Sequence, residues 1–409
     1  MKRVVVTGMA AISTLGETQE QIMQSLRACK NTTRHMEGWS EYQGLRAHLY
    51  APLVGYERPK DFSRKQLRTM STISVLAVDC TRRSLEDAGL LGDAVISSSR
   101  TGVAYGSCVG SMSAFAPCVK LLNEKNAREI TSGTYVKLMG HTAPVNISLF
   151  FATKGRTINS STACTSGSVA IGSAYEAIAM GRQDVMLAGG AECCNMLPLA
   201  VFDALFAAST RNDSPETTPA PFDKNRDGLV LGEGACTLVL EELEHAQARG
   251  ARIYAEVVGF GYTSDGTHIT SPNAETMKGA MVEALQMAGL RPEDIGYLNL
   301  HGTGTKNGDM AEAAATSSVF GNRLPVSGLK GYTGHTLGAC GALESMVSIM
   351  MMREGWYHPN LNLHELDPEC EGLDYITGEG RCLDAEYVMN NNYAFGGINT
   401  SLIFRRWPN

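Results

Sequence analysis

One cysteine stands among small residues in the stretch "STACTSG", Ser161–Gly167, directly before a run with helical periodicity. The N terminus of a helix offers unpaired N–H groups and the positive end of its dipole. A thiol at such a place is expected to have a lowered pKa and to react as a thiolate. Cys164 is therefore a candidate nucleophile, although a structural cysteine tolerated in a tight helix start fits the same residues.

Two histidines lie in glycine-rich turns of the second half of the chain. In "LNLHGTGTKNGD" an apolar strand delivers His301 at its end, and "LKGYTGHTLGACGALE" places His335 before a helix, together with Lys330 and Glu344. Ligands gather beyond the carboxyl ends of strands in α/β sheets, and a helix start favours a neutral imidazole. Neutral imidazoles donate N–H bonds to a developing oxyanion. A lone histidine is more often structural, but a pair in such turns is less ordinary.

A Gly-Gly turn is the last of the candidate features. It lies in "NYAFGGINTS", Asn392–Ser401, after a strand pattern. Backbone N–H groups in such a turn can form one arm of an oxyanion hole. An ordinary tight turn is the alternative.

Two other patterns imitate functional motifs. The segment Asp223–Gly234 starts like a calcium loop, but its twelfth position is glycine, and no entering helix precedes it. "GSCVG", Gly106–Gly110, resembles a nucleophile elbow built on Cys108, but no acid and histidine follow in a hydrolase order. We expect neither a calcium site nor a hydrolase.

Composition excludes several classes of protein. A net charge of −7 argues against bulk nucleic-acid binding. The 11 cysteines have neither disulfide nor metal-ligand spacing, which predicts free thiols, a reducing compartment and no metal site. No apolar run approaches the roughly 20 residues of a membrane span, and the N terminus enters a strand pattern directly. We therefore expect a cytoplasmic protein without a membrane span.

Strand-like and helix-like segments alternate along the chain, which indicates an α/β fold. The predicted strands are 4–7, 101–105, 157–159, 185–188, 237–240, 253–258, 295–300, 325–327, 387–390 and 400–404. The predicted helices are 19–28, 70–88, 168–180, 276–288, 309–319 and 342–353. Both Cys164 and His335 precede a helix rich in small residues that ends at a glycine, Gly181 or Gly355. This echo predicts a duplicated fold with its site at the seam between two halves.

With "STACTSG", "HGTGT", "LKGYTGHTLGA" and "FGGIN" in this order, the chain resembles the elongating β-ketoacyl-acyl-carrier-protein synthases from Val4 to Phe404. The resemblance implies the thiolase fold, in which two βαβαβαββ halves form an α-β-α-β-α sandwich. The N-terminal half, carrying the nucleophilic cysteine, would span residues 1–250. The C-terminal half, carrying the two histidines, would span residues 251–409.

The resemblance also implies roles for individual residues. Cys164 would be the acylated nucleophile, and His301 and His335 would support decarboxylation of a malonyl group. The supporting positions would be the ion pair Lys330 and Glu344, the gate Phe395, the oxyanion-hole N–H groups of Cys164 and Phe395, the pantetheine-binding Thr303 and Thr305, and Val109 in the acyl pocket. No bound cofactor is implied, since the substrates travel on the phosphopantetheine arm of an acyl carrier protein.

The sequence departs from the usual fatty-acid pattern at several places. It has "TKNGD" where "TPAGD" is usual, "YAFGGIN" where "FGFGGTN" is usual, and an altered lysine segment. These departures favour a specialised type II polyketide or aryl-polyene pathway over ordinary fatty-acid elongation. The resemblance itself implies a dimer, which is either a homodimer or, as the departures suggest, a heterodimer with a catalytically silent chain-length-factor subunit. A pocket-shaping partner subunit without condensing activity is an alternative, but that class lacks the cysteine present here as Cys164.

An acidic carrier protein requires a local basic landing site on an acidic synthase. Arg64, Lys65 and Arg68 form one basic cluster in the sequence. The candidates for its other side are Lys125, Arg128 and Arg211. The alternative is an ordinary solvated charged face.

Overall fold

The computed structural model describes residues 1–408, which form 16 strands and 13 helices in that part of the chain. The strands are β1 Val4–Ser13, β2 Arg34–His35, β3 Leu49–Ala51, β4 Thr101–Gly106, β5 Thr157–Ser160, β6 Val185–Glu192, β7 Leu231–Gly232, β8 Gly234–Glu242, β9 Ala255–Ser264, β10 Ile295–Leu300, β11 Pro325–Gly328, β12 Trp356–Tyr357, β13 Asp374–Tyr375, β14 Arg381–Cys382, β15 Tyr387–Ala394 and β16 Ile398–Arg406. The helices are α1 Gln19–Arg27, α2 Arg64–Leu67, α3 Thr72–Asp87, α4 Phe115–Glu124, α5 Ser132–Leu138, α6 Thr142–Phe151, α7 Ser166–Ala179, α8 Met196–Ala204, α9 Leu243–Ala248, α10 Ala274–Ala288, α11 Lys306–Phe320, α12 Lys330–Thr333 and α13 Cys340–Glu354.

The two halves of the main sheet have the same strand order. Its first half runs β5-β4-β6-β8-β1 and its second half runs β11-β10-β15-β16-β9, with β13 added at the outer edge. In each half the first three strands are parallel and the last two are antiparallel to their neighbours. The halves join where Val4–Val6 of β1 pairs with Ala255–Val257 of β9. The same topology in both halves accounts for the echo seen in the sequence.

Helices cover both faces of the sheet halves and fill the space between them. Helices α3 and α6 pack on the outer face of the first half, and α10 and α11 pack on that of the second. Helices α7 and α13 lie in the middle and share one core with both halves. The resulting α-β-α-β-α order is the thiolase fold, which confirms the predicted fold class. The division of the chain at residue 250 stays a prediction.

Two glycines of α7 allow the middle layer to pack closely. A Cβ atom on Gly167 would lie 2.9 Å from the backbone nitrogen of Ala342 in α13. A Cβ atom on Gly172 would lie 2.3 Å from the ring of Phe260 in β9. Because real Cβ contacts are longer than this, both positions require glycine.

Every predicted strand and helix is present, although the boundaries shift by a few residues. The prediction missed α2, α4–α6, α8, α9 and α12, and the short strands. Of the missed helices, α4 buries none of its residues. Within the described part of the chain, every helix is too short or too polar to span a bilayer.

Candidate active site

Cys164 is placed by a tight turn between β5 and α7. A 3-10 turn spans Ala163–Thr165, and Ala163 adopts a φ of 51°, in the left-handed region. The backbone N–H of Thr162 donates to Ser166 Oγ at 2.9 Å, which fixes the entry to the helix. Cys164 lies at the helix start, as the sequence predicts, and 6% of its surface is exposed.

His335 reaches the cysteine from the matching turn of the second half. There a 3-10 turn spans Leu337–Ala339 before α13, and Leu337 has a φ of 45°. The Leu337 N–H donates to His335 Nδ1 at 3.2 Å, so that nitrogen accepts and the ring proton lies on Nε2. His335 Nε2 is 3.0 Å from Cys164 Sγ. The imidazole therefore points an N–H at the sulfur.

His301 presents the same tautomer from the end of β10. Two donors face its Nδ1 atom: Lys330 Nζ at 3.1 Å and Asn392 Nδ2 at 3.3 Å. With Nδ1 accepting, the proton of His301 lies on Nε2. The His301 and His335 rings meet edge-on with their centroids 5.2 Å apart. One ring nitrogen of each histidine and the Cys164 sulfur are all within 4.8 Å of one another.

Lys330 and Glu344 form a fully buried ion pair behind His301. Lys330 Nζ donates to Glu344 Oε1 at 2.6 Å, and both side chains are 1% exposed. Burial disfavours the ammonium, but the Glu344 carboxylate outweighs it and raises the pKa of Lys330 overall. Removing one partner of such a pair leaves an unpaired buried charge, at a cost of about 3–5 kcal/mol. The sequence-predicted ion pair is therefore present.

The protonation states of the two histidines match the expectation, but that of Cys164 does not. Burial, followed by the charge of Lys330, holds the pKa of His301 and of His335 well below 6.5, so both are neutral, as predicted. Burial raises the pKa of the Cys164 thiol to about 11, with Lys330 and the N–H groups of Phe395 and Cys164 acting in the lowering direction. The lowered thiol pKa expected from the helix start is wrong for the resting site, because desolvation outweighs the nearby donors.

Phe395 lies beside the sulfur in the Gly-Gly turn. Its backbone N–H and that of Cys164 itself favour the thiolate, which locates both donors near Sγ. The Phe395 ring is partly buried and packs against Phe202 with the ring centroids 5.2 Å apart. The two N–H groups predicted for an oxyanion hole thus both act on the Cys164 sulfur.

A cavity of about 470 Å³ opens onto these groups. Among its lining residues are Cys164, His301, His335, Thr303, Thr305 and Phe395. The hydroxyl oxygens of Thr303 and Thr305 are 2.9 Å apart. The cavity therefore brings together the predicted nucleophile, histidines, gate and threonines.

Val109 is not among the cavity-lining residues of the described chain. It is partly buried in the loop that follows β4, next to Cys108. Its place in the acyl pocket stays a prediction.

Five of the six predicted docking residues are exposed: Arg64, Lys65, Arg68, Lys125 and Arg128. Arg68 lies beside the start of α5, since a Cβ atom on Gly133 would be 3.0 Å from the Arg68 carbonyl oxygen, and Lys125 and Arg128 precede α5 in the sequence.

Arg211 differs from the other five. It is only partly exposed, pairs with Asp227 at 3.4 Å and donates to the Thr217 carbonyl at 3.0 Å. Its guanidinium is occupied within the chain, so the structure does not bring it into the exposed basic set.

The two imitating motifs have other roles. The Asp223 carboxylate accepts the backbone N–H groups of Asn225 and Glu365 at 2.8 and 2.9 Å, which pins a loop. The Cys108 N–H donates to Glu192 at 2.7 Å, and among residues 1–408 no histidine is hydrogen-bonded to its sulfur. Burial raises the pKa of the Cys108 thiol. The structure thus supplies no base for a hydrolase built on Cys108.

Sequence reasoning missed a shell of buried carboxylates that shape the loop after β10. Glu312 accepts the backbone N–H groups of His301 and Gly302 at 2.6 and 2.7 Å. Asp309 accepts those of Thr303 and Gly304, each at 3.1 Å, and pairs with the buried Arg226 at 3.3 Å. The signal available in the sequence was a pair of acids one turn apart on the helix that follows "HGTGT".

Two family profiles match the chain. The profile described as "Beta-ketoacyl synthase, N-terminal domain" matches residues 1–246, and "Beta-ketoacyl synthase, C-terminal domain" matches residues 254–364. The chain is 36% identical to 3-oxoacyl-acyl-carrier-protein synthase 1 of Haemophilus influenzae, with 100% of both chains covered. It is 38% identical to the corresponding synthase 2 of Vibrio cholerae, with 99% of both covered.

Solved structures show the same likeness. A beta-ketoacyl synthase from Burkholderia phymatum STM815 superposes with a TM-score of 0.98 at 55% identity, covering 100% of both chains. The ishigamide ketosynthase/chain length factor gives a TM-score of 0.91 at 29% identity with the same coverage. The AntDE:AntF complex, a type II PKS acyl-carrier protein with its ketosynthase, gives 0.87 at 28% identity, again with 100% of both chains covered.

Proposed function

The chain belongs to the beta-ketoacyl synthase family and is a β-ketoacyl-acyl-carrier-protein synthase, and from this premise we propose which of its residues carry the reaction. The enzyme condenses an acyl group with malonyl-carrier and releases CO₂. Cys164 holds the acyl group, while His301 and His335 stabilise the enolate. The observation that carries this assignment is that one ring nitrogen of each histidine and the Cys164 sulfur lie within 4.8 Å of one another in a single cavity.

The first half-reaction loads the cysteine. The Cys164 sulfur attacks the carbonyl carbon of the acyl-carrier thioester, the carbon–sulfur bond to the carrier breaks, and the thiol proton ends on the departing carrier thiol. Because the resting thiol is protonated, the attack depends on groups that favour the thiolate. These groups are the His335 N–H at 3.0 Å and, farther away, the Lys330 charge.

The second half-reaction needs donors and no strong base. Malonyl-carrier loses CO₂, and negative charge develops on its thioester oxygen. The Nε2–H groups of His301 and His335 stabilise that oxygen, and their low pKa values keep them neutral donors. The carbanion then attacks the Cys164 thioester, and the cysteine leaves as a thiolate that takes up a proton from water.

A separate oxyanion forms on the acyl carbonyl oxygen, both when the acyl group is loaded onto Cys164 and when it is condensed. The backbone N–H groups of Cys164 and Phe395 stabilise this oxyanion, and the Phe395 ring gates the cavity beside Phe202. Thr303 and Thr305 bind the pantetheine arm, which enters the cavity along the loop fixed by Asp309. The two catalytic halves of the chain, divided at residue 250, contribute the nucleophile and the histidines.

An acyl carrier protein delivers both substrates to this cavity. The exposed cluster of Arg64, Lys65 and Arg68, together with Lys125 and Arg128, binds its acidic surface. The carrier protein seen with a related ketosynthase supports this partner. A cytoplasmic location and a specialised polyketide or polyene pathway stay predictions.

A second copy of the chain covers the open edge of the sheet at β5. This strand has one neighbour in the sheet, and three of its four residues are at least partly exposed. Large apolar side chains are exposed on the adjoining helices α4, α5 and α6: Val119 at 50%, Leu122 at 78%, Tyr135 at 67% and Leu149 at 65%. An edge strand flanked by exposed apolar side chains favours pairing with another chain.

The test of the assignment is intact-protein mass after incubation with acyl-carrier, followed by peptide mapping and mass spectrometry of carrier-bound products. We expect one acyl group on the peptide that contains Cys164 and a two-carbon extension once malonyl-carrier is added. Acylation of another cysteine, such as Cys108, would overturn the assignment. Light scattering of the purified chain tests the dimer, and a monomer that becomes active only with a second ketosynthase-like subunit indicates a heterodimer instead.

A further inference from the structure

Asn392 is the residue of β15 that touches the catalytic machinery. It is fully buried in the run Asn390–Asn392. Side chains alternate along a strand, and accordingly Asn391 faces the other way, where its Oδ1 accepts from Ser401. Only one face of the strand thus presents an amide to His301.

The orientation of the Asn392 amide is fixed from its oxygen side. Its Oδ1 accepts from Ser168 Oγ at 2.8 Å and from Asn390 Nδ2 at 3.1 Å. Both partners are buried, and Asn390 is held in turn by Asn299, whose Nδ2 donates to Asn390 Oδ1 at 2.8 Å. The Asn392 NH₂ group must therefore face the ion pair and His301.

The NH₂ group has three acceptors within reach: Glu344, His301 and, at 3.7 Å, the sulfur of Cys340. Asn392 Nδ2 donates to Glu344 Oε2 at 2.6 Å and faces His301 Nδ1 at 3.3 Å. The other carboxylate oxygen of Glu344, Oε1, accepts a hydrogen bond from Lys330 Nζ at 2.6 Å. Lys330 in turn donates to both the Nδ1 atom and the carbonyl oxygen of His301. Asn392 thus acts on His301 directly and also through Glu344 and Lys330.

We propose that Asn392 is a positioning residue that keeps the His301 proton on Nε2, by facing Nδ1 with an amide N–H and by holding the carboxylate on which Lys330 depends. This proposal rests on the role given to His301 in the proposed function. An imidazole with its proton on Nδ1 would turn a lone pair toward the enolate oxygen and repel it. Decarboxylation therefore depends strongly on Asn392, whereas loading of Cys164 uses the His335 N–H directly and depends on Asn392 only weakly, through the more distant Lys330 charge.

The test compares Asn392→Leu with the matched control Asn391→Leu. Both remove a buried amide from β15, but only one faces His301. For Asn392→Leu we expect CO₂ release from labelled malonyl-carrier to fall about 10- to 100-fold, the range typical of a lost orienting partner. The rate of Cys164 acylation, read from intact-protein mass, should fall much less, by no more than a few-fold. Asn391→Leu should leave both half-reactions near wild type.

A second measurement reads the tautomer itself. In ¹⁵N-histidine-labelled protein, with His301→Ala used to assign the signal, the wild type should show the His301 proton on Nε2, and Asn392→Leu should shift part of it to Nδ1. If Asn392→Leu does not fold, Asn392→Ser takes its place, since a serine hydroxyl is too short to reach both Glu344 and His301. A wild-type proton on Nδ1, or wild-type CO₂ release in the variant, overturns the proposal, as does an equal loss of both half-reactions.

The result also separates this proposal from the assignment on which it rests. A wild-type enzyme that takes no acyl group on Cys164 contradicts the proposed function. A wild-type enzyme that performs both half-reactions, together with an Asn392→Leu variant that matches it in both, contradicts only the role of Asn392.

Discussion

The Nε2 atom of His335 lies 3.0 Å from the Sγ atom of Cys164, although 171 residues separate the two along the chain. Cys164 lies within the 3-10 turn that precedes α7, and His335 lies two residues before the corresponding turn that precedes α13; each turn contains one left-handed residue. The nucleophile and its hydrogen-bond donor thus come from corresponding turns of the two duplicated halves. Different side chains in those turns give the halves different tasks.

Replacing the nucleophile should separate the two half-reactions. In Cys164→Ala no acyl group can be stored, so elongation must stop, while both histidine donors stay in place. We expect the variant to release CO₂ from labelled malonyl-carrier without forming a longer product. Elongation of acyl-carrier by Cys164→Ala would contradict the role of the cysteine.

Replacing one donor should have the opposite effect. In His301→Ala the cysteine and His335 remain, so acyl-carrier should still add its acyl mass to the protein. Decarboxylation should fall about 100- to 1000-fold, as is typical when one oxyanion donor is lost. The comparison uses intact-protein mass for loading and labelled CO₂ for decarboxylation. A wild-type rate of CO₂ release would remove His301 from the mechanism.

The reactivity of Cys164 should rise with pH. Because burial raises the pKa of its thiol to about 11, the thiolate fraction grows about tenfold for each pH unit between 7 and 9.5. Iodoacetamide alkylation of the Cys164 peptide should follow this rise, with Cys164→Ala correcting for the other cysteines. A plateau of the rate below pH 8 would show that the thiol ionises near neutrality.

Glu192 should make stability depend on pH. Burial raises its pKa from 4.5 to about 8, so between these values the folded state binds more protons than the unfolded state. The free energy of unfolding therefore falls as pH rises through this window. Glutamine at 192 keeps an oxygen for the N–H groups of Cys108 and Gly338, at 2.7 and 3.2 Å, and does not ionise.

Urea midpoints at pH 5, 6, 7 and 8 should accordingly decline less steeply for Glu192→Gln than for the wild type. Some decline should persist in the variant, because burial also raises the pKa of Glu312 to about 8. Equal slopes for the two proteins would show that Glu192 is ionised in the folded state.

Charge reversal should weaken carrier docking. In a Lys65→Glu, Arg68→Glu variant we expect a higher KM for acyl-carrier, and a flatter dependence of turnover on salt, with kcat largely retained. The matched control is Arg323→Glu, which is exposed in the loop before β11, at the end of that strand opposite the site. Equal effects of both variants would remove Lys65 and Arg68 from the landing site.

The sequence predicted those site residues whose surroundings have a local signature. Cys164, His301 and His335 each lie in a glycine-rich or small-residue turn at the end of a strand, and the strands have a clear apolar pattern. Asn392 and Glu192 carry no such signature, because they lie within strands and become significant only through partners far away in sequence. The rise of the Cys164 pKa was not predicted for the same reason, because desolvation of the thiol depends on the assembled core.

The two halves also determine how the enzyme can fail. Cys164 belongs to one half and the histidines to the other, and β1 and β9 join the sheet halves over only a few residues. The alignment of sulfur and imidazoles therefore depends on the glycine contact between α7 and α13, where Gly167 meets Ala342. A side chain at 167 would wedge these helices apart while leaving each half its own strands and outer helices. Such a protein would retain the spectroscopic signature of its native fold but would have no catalytic activity.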